Sequence, residues 1–309
     1  MKEVKNLKTN LRTIQNVHKI TYKDSFWALI LLTPNLIGFL CFTIFPVIAS
    51  FILSFTEYDI LSPIKWVGIK NYINLLNDHI FRQVFVNTCY YSIVYVPLST
   101  ILSLLLAVAL NMKIKGIKIY RTIYFLPVIS PMVAVAIVWQ WLYNSEFGLI
   151  NYLLSLFGIK GPDWLTNKYL AMPAIIITSV WKNLGFNMLI FLAGLQGISD
   201  SYYEAADIEG ASGWVKFTKI TIPLLSSTTF FVVVMGFIGS FQVFDAVYLM
   251  TGGGPGRSTS VLVHYIYQNA FQYFKMGYAC AQAYILFFVI FIITLIQFIF
   301  QRKWVIYDI

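Results

Sequence analysis

Apolar residues along this chain gather in six long runs separated by short polar stretches. A helix needs about 20 mostly apolar residues to cross a bilayer. Six segments meet that length: 26–55, 84–110, 122–143, 169–195, 224–249 and 277–301. The pattern predicts an all-α membrane protein with six transmembrane helices. Residues 1–25 precede the spans, 26–301 form the transmembrane domain, and 302–309 make a short tail. The first run holds Pro34 and Pro46, which predicts a kink or an early end near Pro46. Pro127 and Pro131 lie four apart in the third, where they disrupt the backbone ladder. A kink beside a pore and the ordinary packing of a bent helix both fit them.

Composition agrees. Hydrophobic residues make up 59% of the 309 and charged ones 11%, against about 25% charged in a soluble domain. The net charge of +9 is read as membrane orientation and not as nucleic-acid binding. With the N-terminus inside, the inner segments carry 14 Lys and Arg and the outer ones 7, which places both termini in the cytoplasm. The basic leader (Lys2, Lys5, Lys8, Arg12, Lys19, Lys23) precedes a run too long for a cleaved signal, so a retained anchor is expected. Trp66, Trp139, Trp141, Trp164 and Trp304 fall near span ends, as interfacial aromatics do. Cys41, Cys89 and Cys280 lie in separate apolar runs, and His18, His79 and His264 are scattered. That spacing predicts no disulfide and no metal site.

The longest polar interruption with a helical pattern is 196–223. Ser201 and Glu204 have capping-box spacing, and Gly210 suits a helix stop. A helix from Tyr202 to Glu209 follows, too short to stand alone in water. Pro223 suits the first turn of the fifth span. Local physics leaves two readings open: a plain connector, or a helix that docks on a partner.

Glu204-Ala205-Ala206, three residues, Gly210, then Ile220-x-x-Pro223 resembles the signature loop of permease subunits of ABC importers. The family usually has Leu where Ile222 stands. Asp207-Ile208-Glu209-Gly210-Ala211-Ser212 is similar to the carbohydrate-type version. Further pieces in order resemble maltose- and glycerol-phosphate-type permeases: Phe45-Pro46, Leu53 to Tyr58, Val67 to Tyr72, Asn87-Thr88, Arg121 to Pro127 and Thr251 to Pro255. The resemblance implies a type I ABC importer permease fold. It implies ATPase contact by Glu204, Ala205, Ala206 and Gly210. It also implies a second homologous permease chain, a cytoplasmic ABC ATPase dimer and an extracytoplasmic solute-binding protein. ATP would be bound by the ATPase, so no cofactor is expected in this chain.

Gly252 to Ser258 imitates a phosphate loop, but the pattern needs Gly where Thr251 stands and Lys where Arg257 stands. A turn-rich outer loop is expected. Ionisable residues within spans suggest function, and two occur: Lys182 and Asp245. They differ in depth by about 14 Å at 1.5 Å per residue. A structural polar pair, contacts to a partner subunit and a cavity lining all fit. By resemblance to maltose-type permeases, Trp181, Asn183, Gly185, Ser240, Gln242 and Phe244 are candidate sugar-facing residues beside them. If Lys182 faces the cavity, it would suit an anionic sugar such as a uronate.

The resulting expectation is the membrane subunit of an ATP-driven sugar importer in a bacterial cell membrane, doing no covalent chemistry. The alternative is an ion-coupled secondary carrier. Such carriers tend to show internal repeats and intramembrane acids, whereas here there is one such acid and no clear repeat.

Overall fold

The computed structural model describes residues 22–112 and 115–306. The charges of the leader before residue 22 and the end of the tail lie outside them. The chain divides into two units, 1–52 and 53–309.

In the first unit, α1 (Tyr22–Phe39) runs through Pro34 into a π-helical turn at Leu40–Ile44 and on into α2 (Phe45–Leu53). The expected end near Pro46 does not occur. Phe45 N–H bonds back to Leu40 O. This wider turn passes the missing donor of Pro46 without ending the helix. Residues 26–53 form one apolar rod with no side chain buried. Such a rod needs lipid or another protein around it.

The second unit opens with a two-residue ladder, β1 (Thr56–Glu57) against β2 (Lys65–Trp66), with Thr56 opposite Trp66. There follow α3 (Lys70–Asn77), α4 (His79–Asn111), α5 (Ile117–Ile129), α6 (Met132–Leu142), α7 (Leu149–Leu156) and α8 (Ala171–Gln196). Helices α4 and α8 form the centre. Tyr91 and Tyr95 share one buried cluster with Ile175 and Val180. Ala107 and Leu110 share another with Met188, Phe191 and Leu195. Early residues meet early and late meet late, so the two helices run parallel. Between spans in lipid these contacts are favoured by close van der Waals packing and not by removal of apolar surface from water.

Two spans are broken. The third divides at Ser130–Pro131, where α5 and α6 bend by 101°. Pro131 disfavours helix at Ser130 and supplies no N–H of its own. After α9 (Asp200–Ile208) and α10 (Gly213–Lys216), a π turn at Phe217–Thr221 leads to α11 (Ile222–Leu224) and α12 (Ser226–Phe241). Segments 213–224 and 226–241 meet at 64°. The fifth span, expected to run unbroken over 224–249, stops at Phe241, and α13 (Asp245–Met250) begins anew. Gly236 and Gly239 weaken the last turn of α12, and Gln242 and Asp245 tolerate a backbone facing a cavity. Next come α14 (Leu262–Tyr267), a π turn at Gln268–Gln272, and α15 (Met276–Gln301). Among the described residues, four helices are long and apolar enough to cross a membrane, or up to six spans if each bent pair counts as one.

Candidate functional site

Two places in the second unit have the form of a working site: the α9 loop at one end of the bundle and a cavity beside α8.

Helix α9 begins at Asp200, capped by Ser199, whose Oγ accepts from Ser201 N–H at 3.4 Å. The expected capping box of Ser201 with Glu204 is therefore not the cap. The cap lies two residues earlier, and Glu204 falls beyond the turn whose N–H groups need a partner. Asp200 in the first turn favours this start through the helix dipole. The stop is at Gly210, with φ of +75°. Gly210 N–H reaches Asp207 O at 3.0 Å, and Ala211 N–H reaches Ala206 O at 2.9 Å. No atom lies within 4 Å of the place a Cβ would take at Gly210, so backbone conformation alone asks for glycine there.

No residue of α9 is buried. Glu204 and Ala205 are exposed, Ala206 is half-buried, and Ile208 is 89% exposed. Two contacts tie the helix to the base of the fifth span. Lys216 Nζ meets Asp207 Oδ1 at 2.7 Å, the one ion pair among the described residues. The Tyr203 and Thr221 hydroxyls lie 3.0 Å apart. Across the loop Trp214 stands 72% exposed. Helix and loop thus present a free face of apolar and acidic groups on a short, braced element.

The cavity holds about 450 Å³ between α4, α8 and the break from α12 to α13. Lys182, Asn183, Ser240, Gln242, Phe244 and Asp245 line it, six of the eight residues singled out on these spans. Trp181 and Gly185 do not. Trp181 packs edge-on to Trp139, ring centres 5.5 Å apart. Gly185 is buried where α8 crosses α5, and a Cβ there would run into the carbonyl oxygen of Tyr124. Backbone approach of the two helices needs the missing side chain there.

Lys182 and Asp245 share the cavity but form no ion pair with each other. Lys182 Nζ instead donates to Ser130 O at 3.2 Å and Val128 O at 3.4 Å. These carbonyls lie at the end of α5, where helical partners run out. Asp245 is exposed in the first turn of α13, where the dipole favours a carboxylate. Asn183 Nδ2 donates to Ser179 O at 3.0 Å, and buried Ser240 Oγ donates to Phe237 O at 3.0 Å. Gln242 and Asp245 line the cavity and are exposed.

Sequence reasoning missed the wall from α4. Tyr91 and Tyr95 line the cavity with stacked rings, centres 5.4 Å apart. Asn187 lines it too, its Nδ2 donating to Ser99 Oγ at 3.0 Å. Tyr91, Tyr95 and Ser99 recur every four residues and so share one face of α4, and that stripe was the available signal. At the far end of the bundle the glycine loop is a turn, as expected. Gly252, Gly253 and Gly256 have positive φ, and Asn87 Nδ2 ties the loop down through Arg257 O and Ser260 O, both at 2.9 Å.

Comparison with known proteins agrees with this architecture. Residues 99–305 match the family described as binding-protein-dependent transport system inner membrane component. The probable ABC transporter permease YesP of Bacillus subtilis is 41% identical over 93% of this chain and 94% of its own length. The trehalose/maltose transport system permease MalF of Thermococcus litoralis is 36% identical over 84% of this chain and 87% of its own. In fold, the chain is similar to a chain of a bacterial ABC transporter involved in the import of the acidic polysaccharide alginate. The TM-score is 0.81 at 26% identity, over 91% of this chain and 96% of that one. The sequence signature, the broken spans and these likenesses agree: the chain belongs to the family of binding-protein-dependent transport system inner membrane components, the permease subunits of ABC transporters.

Proposed function

We propose that this chain is the membrane-spanning subunit of an ATP-driven importer that moves a sugar or oligosaccharide across a bacterial cell membrane, with both termini in the cytoplasm. The observation that supports this most is α9. It is short, none of it is buried, and it is braced by Asp207–Lys216 and Tyr203–Thr221 to the base of the fifth span. A helix so placed gains its stability from a partner. Glu204, Ala205, Ala206 and Gly210 supply the contact with a cytoplasmic ABC ATPase, which binds the ATP. This chain needs no cofactor of its own. Movement of α9 passes through the brace to α12 and so to the cavity wall, and ATP binding shifts the population between two states of access.

A sugar fits the cavity's mixture of aromatic rings, amides and hydroxyls. Relatives named for trehalose/maltose, lactose and arabinooligosaccharide transport favour the same class. A second, homologous permease completes the pathway, and an extracytoplasmic solute-binding protein delivers substrate. Lipid or the second permease covers the apolar rod of residues 26–53.

The test is affinity purification from native membranes in mild detergent, with and without Gly210→Pro. Recovery of a second permease and an ABC ATPase, with the ATPase lost in the variant, is the expected result. Recovery of the chain alone, able to move solute in liposomes on an ion gradient, would establish the secondary carrier instead.

A further inference from the structure

The cavity does not end at its own walls. Phe244 lines it and also opens a cluster of rings beyond it. Phe244 stacks on Tyr248 with centres 5.2 Å apart and planes at 18°. Tyr267 lies 5.2 Å from Phe244 and 5.4 Å from Tyr248. Phe271 extends the group, 5.5 Å from Tyr267. Behind these rings sits His264, 2% exposed, 6.3 Å from Phe244 and 6.2 Å from Tyr248, its Nδ1 3.0 Å from Ser260 Oγ.

In the isolated chain the outer rings are part-exposed, Tyr248 41% and Phe271 61%. The rings come from α13, which begins at the break that forms the cavity wall, and from α14 and the π turn after it, which pack against it from beyond the glycine loop. The glycine loop between α13 and α14 holds the two groups of rings together. Gly253, with φ of +86°, packs against the His264 ring, and a Cβ there would overlap it. Ring faces with phenolic hydroxyls beside them suit a ligand with apolar C–H faces and many hydroxyls.

We propose that Tyr248, Tyr267 and Phe271 form an aromatic platform, continuous with the cavity through Phe244, on which the further units of an oligosaccharide lie while its leading unit occupies the cavity. The inference rests on the sugar reading above and deepens it: the substrate is longer than the cavity alone accommodates. The platform distinguishes substrates by length, since each added ring gains a stacking surface that a short sugar never reaches.

The experiment uses the complete transporter in proteoliposomes with its binding protein. Uptake is measured for two-unit and five-unit members of the maltose, arabinose and galacturonate series, and the series the unaltered complex moves is carried forward. Tyr248→Leu and Phe271→Leu remove one ring each from exposed positions. Each is expected to lower five-unit uptake about fivefold or more, a loss of the size of one aromatic contact, with two-unit uptake and subunit recovery held within about twofold. Equal loss for both lengths, or loss of the co-purifying second permease, would show a structural or subunit-contact cluster and overturn the platform. Uptake of the five-unit sugar unaffected by either leucine variant would overturn it as well. If the unaltered complex moves none of the sugars, the sugar reading fails first and the platform with it.

Discussion

The ammonium of Lys182 lies 3.2 Å from the carbonyl oxygen of Ser130, across the break that ends α5. A charged side chain on α8 thereby supplies a donor that the broken third span lacks. Lys182→Met should leave the Val128 and Ser130 carbonyls without that donor at a cost of about 1–3 kcal/mol. Thermal unfolding of the purified complex should show the loss, and Lys182→Arg should recover part of it. A methionine variant as stable as the original would remove Lys182 from this role.

Lys182 also lines the cavity opposite a single carboxylate, Asp245. An ammonium there favours an anionic sugar by charge. Uptake of galacturonate oligosaccharides should fall more than that of maltose oligosaccharides in Lys182→Met. An unchanged ratio of acidic to neutral uptake would count against any reading of substrate charge by this residue.

Gly210 tests the α9 cap by conformation alone, because the space around it is open. Asn tolerates positive φ, Ala strains it by about 1–2 kcal/mol, and a β-branched residue fits worst. Recovery of the ATPase with the purified chain should therefore fall in the order Gly, Asn, Ala, Val at position 210. A flat series would separate the cap from ATPase docking.

Gly185 packs where Gly210 does not. A side chain at Gly185 meets the backbone of Tyr124 and Phe125, which cannot swing aside. Gly185→Leu should reduce the yield of folded protein and Gly185→Ala should lower its thermal stability, each without a selective effect on any one substrate. A change confined to sugar selectivity would restore Gly185 to the ligand.

Asp78 provides the pH-dependent prediction. It caps α4 through Ile80 N–H at 2.8 Å and accepts the Tyr278 hydroxyl at 2.7 Å and the Tyr265 hydroxyl at 2.8 Å. Burial pushes its pKa up, but those two hydroxyls and the N–H groups of Phe81 and Ile80 outweigh it, so the carboxyl sits below its ordinary 3.8. A depressed pKa stabilises the fold above 3.8, and that stability disappears as pH falls through the folded-state value. Asp78→Asn should therefore be less stable than the original at pH 7, and the gap should narrow only below about pH 4. A gap independent of pH would mean the charge of Asp78 contributes nothing.

Much of the architecture was legible along the chain. Five of the six apolar runs match their helices to within about five residues, because a bilayer imposes length and hydropathy on each segment separately; the fifth run overshot its helix. Gly210 was legible as a helix stop, since that requirement is local backbone conformation. The start of α9 was misread by two residues. Ser199 and Ser201 can both cap a helix, and nothing local chose between them.

What the sequence by itself determined is what depends on neighbours along the chain: the spans, the glycine turns, the proline-weakened third span and the signature loop. Only the tertiary structure decided the rest. It ended the fifth span at Phe241, placed Lys182 on the carbonyls of α5 instead of on Asp245, and gave Gly185 to helix packing. It brought Tyr91 and Tyr95 of α4 to the same cavity as Gln242. Within apolar helices a polar residue reveals that it needs a partner, because leaving it unpaired costs free energy. Which partner it finds depends on how distant helices cross, and that is a property of packing and not of sequence spacing.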